Sequence, residues 1–399
     1  MTKRAKPRAK KRGSLLSTLA RAAIILVFLV IAALAFLFEQ GNQAEAPVRP
    51  TTAPSNPTTP PAGSSSGGRT AISGGLIQAF FTTPTLVYPD RRDQRGGSPL
   101  LEAVIEDINA AQRSVDIAVF DIDLADLTDA LIAAKQRGLT VRLVVDSENL
   151  EAAEVAEMTG RMQQAAIPIT FDDREAFMHN KFIVIDRRIA WLGSWNMTEN
   201  DTYRNNNNMI RLRSQLAAEA YRTEFETMFN GTFGGRKPPV PRRQIVLDET
   251  PVAIYFSPED GAAKYVIEQI NNAKSSIRFM AFSFTSADIA NAMIAREQDG
   301  ISVQGVMERQ NASGVGAVFD LLEQNKIDVL VDGNCYILHH KTIIIDDRIV
   351  ITGSYNFTRS AERENDENLV IISDPELAQL YLEEYDRIRN LAEQPLRCG

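Results

Sequence analysis

The chain is poor in the residues that bind transition metals. Its 399 residues include only three histidines and two cysteines. A structural zinc site needs four such ligands close together. Two of the histidines, His179 and His339, belong to a different pattern described below. We therefore expect this protein to use neither a metal nor another cofactor.

An excess of positive charge is also lacking. The formal net charge is −8, although residues 1–74 contain ten Lys or Arg and only two Asp or Glu. The rest of the chain therefore carries a net charge of −16. An acidic body is poorly suited to the many phosphate contacts of non-specific DNA binding. This counts against a general DNA binder but leaves room for a local basic cleft.

The N-terminus combines a basic flank with an apolar segment. Residues 1–13 carry seven positive charges, and residues 22–38 carry no charge. As a helix, the apolar segment would extend about 25 Å, close to the ~30 Å core of a bilayer. This length favours an uncleaved, single-pass anchor in the cell membrane over a signal peptide that is cleaved to give a secreted protein. The basic flank predicts that the catalytic part is extracytoplasmic.

The remaining chain contains a linker and an internal repeat. Residues 41–74 are rich in Pro, Ser, Thr and Gly, which predicts a disordered linker after the anchor of residues 1–40. Residues 100–120 then align without a gap with residues 262–282. Apolar positions with the spacing of one helical face recur in both copies, as Val104, Ile105, Ile108 and Ala111 and as Val266, Ile267, Ile270 and Ala273.

In each copy this helix leads into a strand, a second helix and a second strand. Such units favour a sheet with helices on its faces, so the fold class is α/β. We predict two homologous halves, residues 75–236 and residues 245–399. A basic, proline-containing join separates them, and we expect them to pack as a pseudo-dimer within a monomer.

The histidines belong to a second, longer pattern in the repeat. Residues 178–196 and 338–356 both read His-x-Lys, four residues, Asp, six residues, Gly-Ser-x-Asn. The polar members are His179, Lys181, Asp186, Ser194 and Asn196 in the first copy and His339, Lys341, Asp346, Ser354 and Asn356 in the second. A nineteen-residue pattern that occurs twice is far more specific than a lone His-x-Lys.

The spacing places these side chains together. Each pattern predicts a β-hairpin with a tight turn at the aspartate. Alternation along a strand then puts His, Lys, Ser and Asn on one surface of each hairpin. Pairing two such surfaces across a pseudo-twofold axis would collect two of each around one point.

This collection suits a phosphodiester. Lysines would neutralise the non-bridging oxygens, and Ser and Asn would donate hydrogen bonds to them. One histidine can attack phosphorus, and the other can protonate the leaving alcohol.

The doubled motif resembles that of the phospholipase D superfamily, and the resemblance covers residues 76–389. It implies two α/β/α sandwich halves around one active site, a phosphohistidine intermediate and no metal. It also implies that Asp186 and Asp346 are structural. A carboxylate that orients each histidine is expected downstream, which is Glu367 in the second half but Asn207 in the first.

We expect Glu367 to lie beside His339 and to favour its imidazolium form. An amide beside His179 would leave that ring neutral. This predicts His179 as nucleophile and His339 as general acid, with Glu199 or Asp201 as a substitute for the missing carboxylate.

The predicted reaction is hydrolysis of phospholipid headgroups to phosphatidic acid and an alcohol. The alternative is an endonuclease of the same superfamily, acting on single- or double-stranded DNA or RNA. A phosphatidyl transferase similar to cardiolipin synthase ranks third and an inactive binding module fourth.

Three further features have structural rather than catalytic interpretations. Trp195 and Tyr355 are predicted to pack in the core, and His340 to be a bystander on the back of its strand. Cys335 and Cys398 could pair outside the cytoplasm or remain separate thiols.

Overall fold

The computed structural model describes residues 70–72, 75–82, 88–241 and 244–398 of the chain. These residues form two eight-stranded sheets, one in each copy of the repeat. The prediction of an α/β fold with two related halves is therefore confirmed. The anchor predicted in residues 1–40 lies outside the described residues.

The first half contributes one sheet and the helices that cover it. Its strands are β1 (Thr70–Ile72), β2 (Ile77–Phe81), β3 (Ser114–Val119), β4 (Thr140–Asp146), β5 (Ile169–Asp172), β6 (Lys181–Ile185), β7 (Ile189–Gly193) and β8 (Asn208–Arg213). Its helices are α1 (Pro99–Ala110), α2 (Ala125–Gln136), α3 (Ala153–Gln164), α4 (Glu199–Tyr203) and α5 (Gln215–Phe229).

The second half repeats this arrangement. Its strands are β9 (Gln244–Leu247), β10 (Thr250–Ser257), β11 (Ser276–Ala281), β12 (Ser302–Met307), β13 (Asp328–Val331), β14 (Lys341–Ile345), β15 (Ile349–Gly353) and β16 (Glu367–Ser373). Its helices are α6 (Ala262–Asn272), α7 (Ala287–Gln298), α8 (Arg309–Ala312), α9 (Phe319–Gln324), α10 (Arg359–Arg363) and α11 (Pro375–Glu393).

The strands follow the same order in both sheets. The first sheet runs β1-β2-β8-β7-β6-β3-β4-β5, and the second runs β9-β10-β16-β15-β14-β11-β12-β13. In each sheet the strands of the helical units are parallel, whereas the motif hairpin is antiparallel to its neighbours. The hairpins β6–β7 and β14–β15 therefore lie in the middle of their sheets.

One apolar cluster is shared by the two halves. It contains Tyr221 from α5 and Tyr381 from α11, together with residues of both sheets such as Phe182 and Ile344. Two further clusters fill the other faces, one between the first sheet and α1–α3 and one between the second sheet and α6–α7. Because α5 and α11 contribute to the shared cluster, the halves pack through a common core.

Local sequence signals set the boundaries of the repeated helices. The Ser98 hydroxyl accepts a hydrogen bond from the Leu101 N–H at 3.3 Å, and Pro99 is the first residue of α1. A serine cap followed by proline is a strong helix start, because the serine hydroxyl accepts an N–H of the first turn and proline has no N–H that needs a partner. Helix α11 begins in the same way, with Asp374 as cap and Pro375 as its first residue.

The predicted linker ends in regular structure. Its last part, Thr70–Ile72, pairs antiparallel with β2 at the edge of the first sheet. Edge pairing of this kind needs only backbone groups and no apolar pattern, so the composition of residues 41–74 gave no sign of this strand. Within the described residues, no helix is both long and apolar enough to cross a membrane.

Candidate active site

The motif aspartates anchor the hairpins. The carboxylate of Asp186 accepts hydrogen bonds from the backbone N–H groups of residues 112–114 at 2.7 to 3.0 Å. Asp346 accepts the equivalent bonds from residues 274–276. Each aspartate also begins the hairpin turn with a positive φ, 52° and 53°. These contacts agree with the structural role that the family resemblance implied.

The motif glycines allow a close approach of two strands. A Cβ atom at Gly193 would lie 2.1 Å from the Asn208 carbonyl oxygen, and one at Gly353 would lie 2.3 Å from that of Asn368. The next residue in each motif donates its N–H to the same carbonyl, at 2.9 and 3.0 Å. A side chain at either glycine would push β8 or β16 away from the hairpin.

Each motif histidine is held by the backbone of the opposite half. The His179 N–H donates to the Asp366 carbonyl at 2.9 Å, and the His339 N–H donates to the Asn206 carbonyl at 2.9 Å. Isolated bridges, Met178 with Asp366 and Asn206 with Leu338, complete this exchange. Both histidines are buried, at 8% and 7% exposure. The two motifs therefore meet where the halves cross.

The ring contacts correct one prediction. Glu367 lies beside His179, with Oε2 2.8 Å from Nδ1, and not beside His339. The partner of His339 is Asn207, whose Oδ1 lies 2.8 Å from Nδ1, with the Asp201 Oδ2 atom 3.4 Å away. Asp201, which was anticipated as a replacement carboxylate for His179, lies beside His339 instead, whereas Glu199 forms a partly buried ion pair with Arg95.

The exchanged backbone explains this crossing. Glu367 follows Asp366, whose carbonyl binds the backbone of His179, and Asn207 follows Asn206, which binds that of His339. Each orienting side chain therefore reaches the histidine of the other half because the residue before it forms a backbone hydrogen bond to that histidine. Spacing within one copy of the repeat shows which position orients a histidine but not which histidine it reaches.

Two buried lysines lie beside the histidines. Nζ of Lys181 donates to the His179 carbonyl at 2.8 Å, and Nζ of Lys341 donates to the His339 carbonyl at 2.8 Å. Burial lowers the pKa of Lys181 to about 8. Burial, and then the charge of Lys181, lowers the pKa of Lys341 well below its usual value. A bound anion would favour the charged form of both lysines.

An aromatic pair flanks these groups and was missed in the sequence. The ring centroid of Phe120 lies 5.4 Å from that of His179 and 5.3 Å from Nζ of Lys181. Phe282 lies 4.8 Å from the His339 ring and 4.6 Å from Nζ of Lys341. Each directly follows the first strand of its repeat copy, β3 or β11, so their equivalent positions were the available signal. The faces of their rings favour the ammonium groups of the two lysines.

The motif serines act differently from the prediction. The Ser194 hydroxyl donates to Asn207 Oδ1 at 2.9 Å, and the Ser354 hydroxyl donates to Glu367 Oε2 at 2.7 Å. Since a hydroxyl has one proton, these serines support the orienting groups and do not donate to a substrate oxygen. Oδ1 of Asn196 and of Asn356 is buried without a hydrogen-bond partner among the described residues.

The electrostatics of the two histidines differ. Burial, followed by the nearby lysines, lowers the pKa of both rings, to about 3 for His339 and well below the usual value for His179. Burial opposes ionisation of Asp201, but His339 and the hydrogen bonds to this carboxylate outweigh it and hold its pKa below the usual range. Burial raises the pKa of Glu367 to about 8 against the opposing effect of Lys181. The carboxylate near His339 is thus charged, whereas the one at His179 holds a proton readily.

The side chains that were predicted to have no catalytic role lie away from this site. Trp195 and Tyr355 are buried, and they donate to the Thr202 hydroxyl at 3.0 Å and to Glu362 at 2.7 Å. His340 is fully buried, and its ring nitrogens contact Asn208 at 2.9 Å and Glu384 at 2.9 Å. These contacts agree with packing roles.

Cys335 and Cys398 form a disulfide bond, which resolves the alternative left open by the sequence. The bond ties the segment after α11 to the loop that leads into His339. Across the described residues, no group of three or more His, Cys, Asp or Glu side chains has the arrangement of a metal site.

Comparison with known proteins identifies the family. The model of a family described as "Cardiolipin synthase, PLD-like domain" matches residues 104–229 and 266–389, one match in each half. A phospholipase D from Rickettsia conorii is 38% identical over 139 residues, which are 35% of this chain and 70% of the relative. A mitochondrial cardiolipin hydrolase from Mus musculus is 34% identical over 116 residues, 29% of this chain and 52% of the relative.

Among solved structures, a phosphatidylserine synthase from Haemophilus influenzae has a similar fold. The TM-score is 0.56 at 16% identity, and the match covers 73% of this chain and 84% of that protein. Only the fold follows from a likeness at this identity. With the family match in both halves, the chain belongs to the phospholipase D superfamily and is a phosphodiester-hydrolysing enzyme.

Proposed function

We propose that the protein hydrolyses the headgroup phosphodiester of phospholipids through a phosphohistidine intermediate, without a metal. The observation that carries this proposal is the pair of buried histidines, each oriented through Nδ1 by the opposite half. With Nδ1 engaged on both rings, Nε2 is the nitrogen available for reaction. Two lysines beside them supply positive charge for one phosphate group.

His179 is the proposed nucleophile. The buried His179–Glu367 pair shares a proton, which lies on Nδ1 when Nε2 attacks phosphorus. Glu367 then balances the positive charge of the phosphoimidazolium that forms. A carboxylate that orients a reacting imidazole in this manner is a recurring arrangement in hydrolases.

His339 is the proposed general acid. The charged Asp201 carboxylate, 3.4 Å from Nδ1, favours the protonated ring, and the bound phosphate offsets the lysine charges that disfavour it. The assignment of the two roles is therefore kept, but on different grounds, since Glu367 no longer supports His339 as the acid.

The reaction consists of two displacements. In the first, Nε2 of His179 forms a bond to phosphorus while the bond from phosphorus to the alcohol oxygen breaks, and His339 gives its proton to that oxygen. In the second, water attacks phosphorus, its proton passes to His339, and the phosphorus–nitrogen bond breaks. The products are phosphatidic acid and the free alcohol, and both histidines return to their initial states.

The non-bridging oxygens require positive charge and donors. Lys181 and Lys341 are the proposed charge partners, and the amide NH₂ groups of Asn196 and Asn356 are the proposed neutral donors. Ser194 and Ser354 do not contact the phosphate in this proposal, and their hydroxyls instead hold Asn207 and Glu367 in place.

A lipid substrate is favoured over a nucleic acid by charge. The chain from residue 75 onward has a net charge of −16, which opposes binding along a polyanion but tolerates a single phosphate in a cleft. Similarity to proteins named phospholipase D and cardiolipin hydrolase points in the same direction. The compact halves of the chain keep an endonuclease as the second candidate.

The full-length protein in detergent, assayed with EDTA, tests this proposal. Substrates are phosphatidylcholine vesicles, cardiolipin vesicles and single-stranded DNA, and a His179→Asn variant controls for contaminating activity. We expect alcohol release from a lipid and a phosphorylated histidine after rapid acid quench. Turnover of DNA alone would reject the lipid substrate, and exchange of one headgroup alcohol for another without hydrolysis would indicate a transferase.

We also propose that the protein is a monomer anchored in the cell membrane, with its catalytic part extracytoplasmic. The disulfide supports an oxidising compartment, because such bonds are rare in the cytosol. Secretion after signal cleavage is the alternative. N-terminal sequencing of the mature protein separates the two, and a C-terminal reporter enzyme that folds only outside the cytoplasm tests the orientation.

A further inference from the structure

Two residues outside the motifs occupy equivalent positions five residues before each histidine. They are Arg174 in the first half and Asn334 in the second. Each lies two positions after a buried aspartate, either Asp172 at the end of β5 or Asp332 directly after β13. Neither belongs to the motif, and the two residue types share no obvious chemistry.

Both side chains reach across to the same place in the other half. The Arg174 guanidinium forms an ion pair with Asp366, and Nδ2 of Asn334 donates to Asn206 Oδ1 at 2.7 Å. Asp366 and Asn206 are themselves equivalent positions of the repeat, and both are fully buried. The pseudo-twofold thus relates a charged pair on one side to an amide pair on the other.

The two contacted residues are those that hold the histidines. The Asp366 carbonyl binds the His179 backbone, and Glu367 comes next in the chain. The Asn206 carbonyl binds the His339 backbone, and Asn207 comes next. Fixing Asp366 or Asn206 therefore fixes both the backbone and the ring of one histidine.

Arg174 and Asn334 are themselves held in place. Arg174 also pairs with Asp172 at 2.8 Å and lies over the Phe233 ring at 5.3 Å. The Asn334 N–H donates to Asp332 at 3.0 Å, and its Oδ1 accepts the Tyr336 N–H at 3.0 Å. Asn334 is also next to the disulfide-bonded Cys335.

We propose that Arg174 and Asn334 are positioning residues that brace the two histidines across the pseudo-twofold, Arg174 for His179 and Asn334 for His339. The inference rests on the proposed phosphodiesterase reaction and on the two roles of the histidines. The proposal predicts that loss of Arg174 weakens attack by His179, whereas loss of Asn334 weakens proton donation by His339.

Two lipids with the same phosphatidyl group and different leaving groups separate these effects. Phosphatidyl-p-nitrophenol releases a weakly basic alcohol that needs no protonation, whereas phosphatidylcholine releases choline and depends on the acid. The rate of alcohol release in the first turnover isolates formation of the phosphoenzyme. It is measured for the full-length wild type, Asn334→Ala and Arg174→Met.

Asn334→Ala should slow choline release by up to about 100-fold and leave p-nitrophenol release within about twofold, because only the acid is displaced. Arg174→Met should slow both releases by a similar factor, because the nucleophile is displaced. Arg174→Lys, which keeps the charge beside Asp366, should recover part of that loss.

Stability is measured in parallel by thermal unfolding, and Asn334→Ser provides a milder variant if Asn334→Ala does not fold. Equal losses on both lipids for both residues, or no loss for either, would overturn the bracing roles. A wild type that releases neither alcohol would instead refute the proposed function, so the two failures are distinct.

Discussion

Oε2 of Glu367 lies 2.8 Å from Nδ1 of His179, although 188 positions separate the two residues in the chain. This contact joins the last strand of one half to the motif of the other. It makes the active site a property of the packed pair of halves, since neither half alone supplies a histidine together with its orienting group.

Replacing Glu367 by Gln should lower kcat while leaving the fold intact. The amide keeps the size of the side chain but cannot share a proton with His179 or balance the charge of the phosphoimidazolium. We expect a loss of about 100-fold or more, as for other carboxylates that orient a reacting imidazole. Steady-state hydrolysis of phosphatidylcholine measures it, and Glu383→Gln on the exposed face of α11 is the matched control. A loss shared by the control, or none in Glu367→Gln, contradicts the role.

Replacing Asp201 by Asn should change the pH dependence more than the maximal rate. The charged carboxylate near His339 stabilises the imidazolium, so its removal lowers the pKa of His339 in the enzyme–substrate complex. His339 then loses its proton at a lower pH, and the basic limb of the kcat profile should move down by about one pH unit. The Asn207 contact remains and keeps the ring oriented.

The pKa of His339 is about 3 in the empty site, and the bound phosphate should raise it towards the usual range of histidine by offsetting the lysine charges. A pH–rate profile of wild type and Asp201→Asn between about pH 4 and pH 9 checks this shift. Asp386→Asn, an exposed position on α11, serves as control. An unchanged profile with a uniformly lower kcat would mean that Asp201 supports structure only.

The sequence alone was sufficient to predict the repeat, the motif residues and the α/β fold of the two halves. These depend on periodicity and on patterns of tens of residues, and the tight turns at Asp186 and Asp346 follow from local chemistry. The partner of each histidine was assigned wrongly, because that contact depends on how strands of different halves cross. The serines were misjudged for a related reason, since their hydroxyl protons go to groups whose position only the packed halves define.

The join between the halves shows a second limit of local reasoning. Residues 234–244 are basic and contain prolines, which is typical of an exposed connection. In the structure Lys237 is fully buried and contacts carboxylates from both halves. A single charged residue in a polar segment gives no sign of this, because burial is decided by partners that are distant in sequence.

Anion binding should be accompanied by proton uptake. In the empty site the pKa of Lys181 is lowered to about 8 and that of Lys341 lies well below its usual value, so part of the lysine charge is absent at pH 8. A bound anion favours the charged forms and raises both pKa values, and protons therefore enter the site on binding. Calorimetric titration with tungstate at pH 8, in buffers of different ionisation enthalpy, measures the number taken up.

We expect net uptake of up to about one proton in the wild type, reduced in Lys181→Met. Lys274→Met, an exposed position, should behave like the wild type. A binding enthalpy independent of buffer would show that both lysines are already charged in the empty site.

Replacing Lys237 by Met should destabilise the protein more than its place in the join suggests. Its Nζ lies 2.6 Å from Asp366 and 3.2 Å from Glu259, and it also pairs with Glu224 of α5. Removing the cation leaves three buried carboxylates without their common partner, which costs about 3–5 kcal/mol of unfolding free energy by analogy with other broken buried pairs.

The loss should be larger at pH 8 than at pH 5. Burial already raises the pKa of Glu224 to about 8, so at low pH the carboxylates can take up protons and offset the missing charge. Urea unfolding at both pH values measures the difference. The neighbouring Arg236 is exposed, and Arg236→Met should change the unfolding free energy by no more than about 0.5 kcal/mol. Similar effects of the two substitutions would show that the join does not hold the halves together through Lys237.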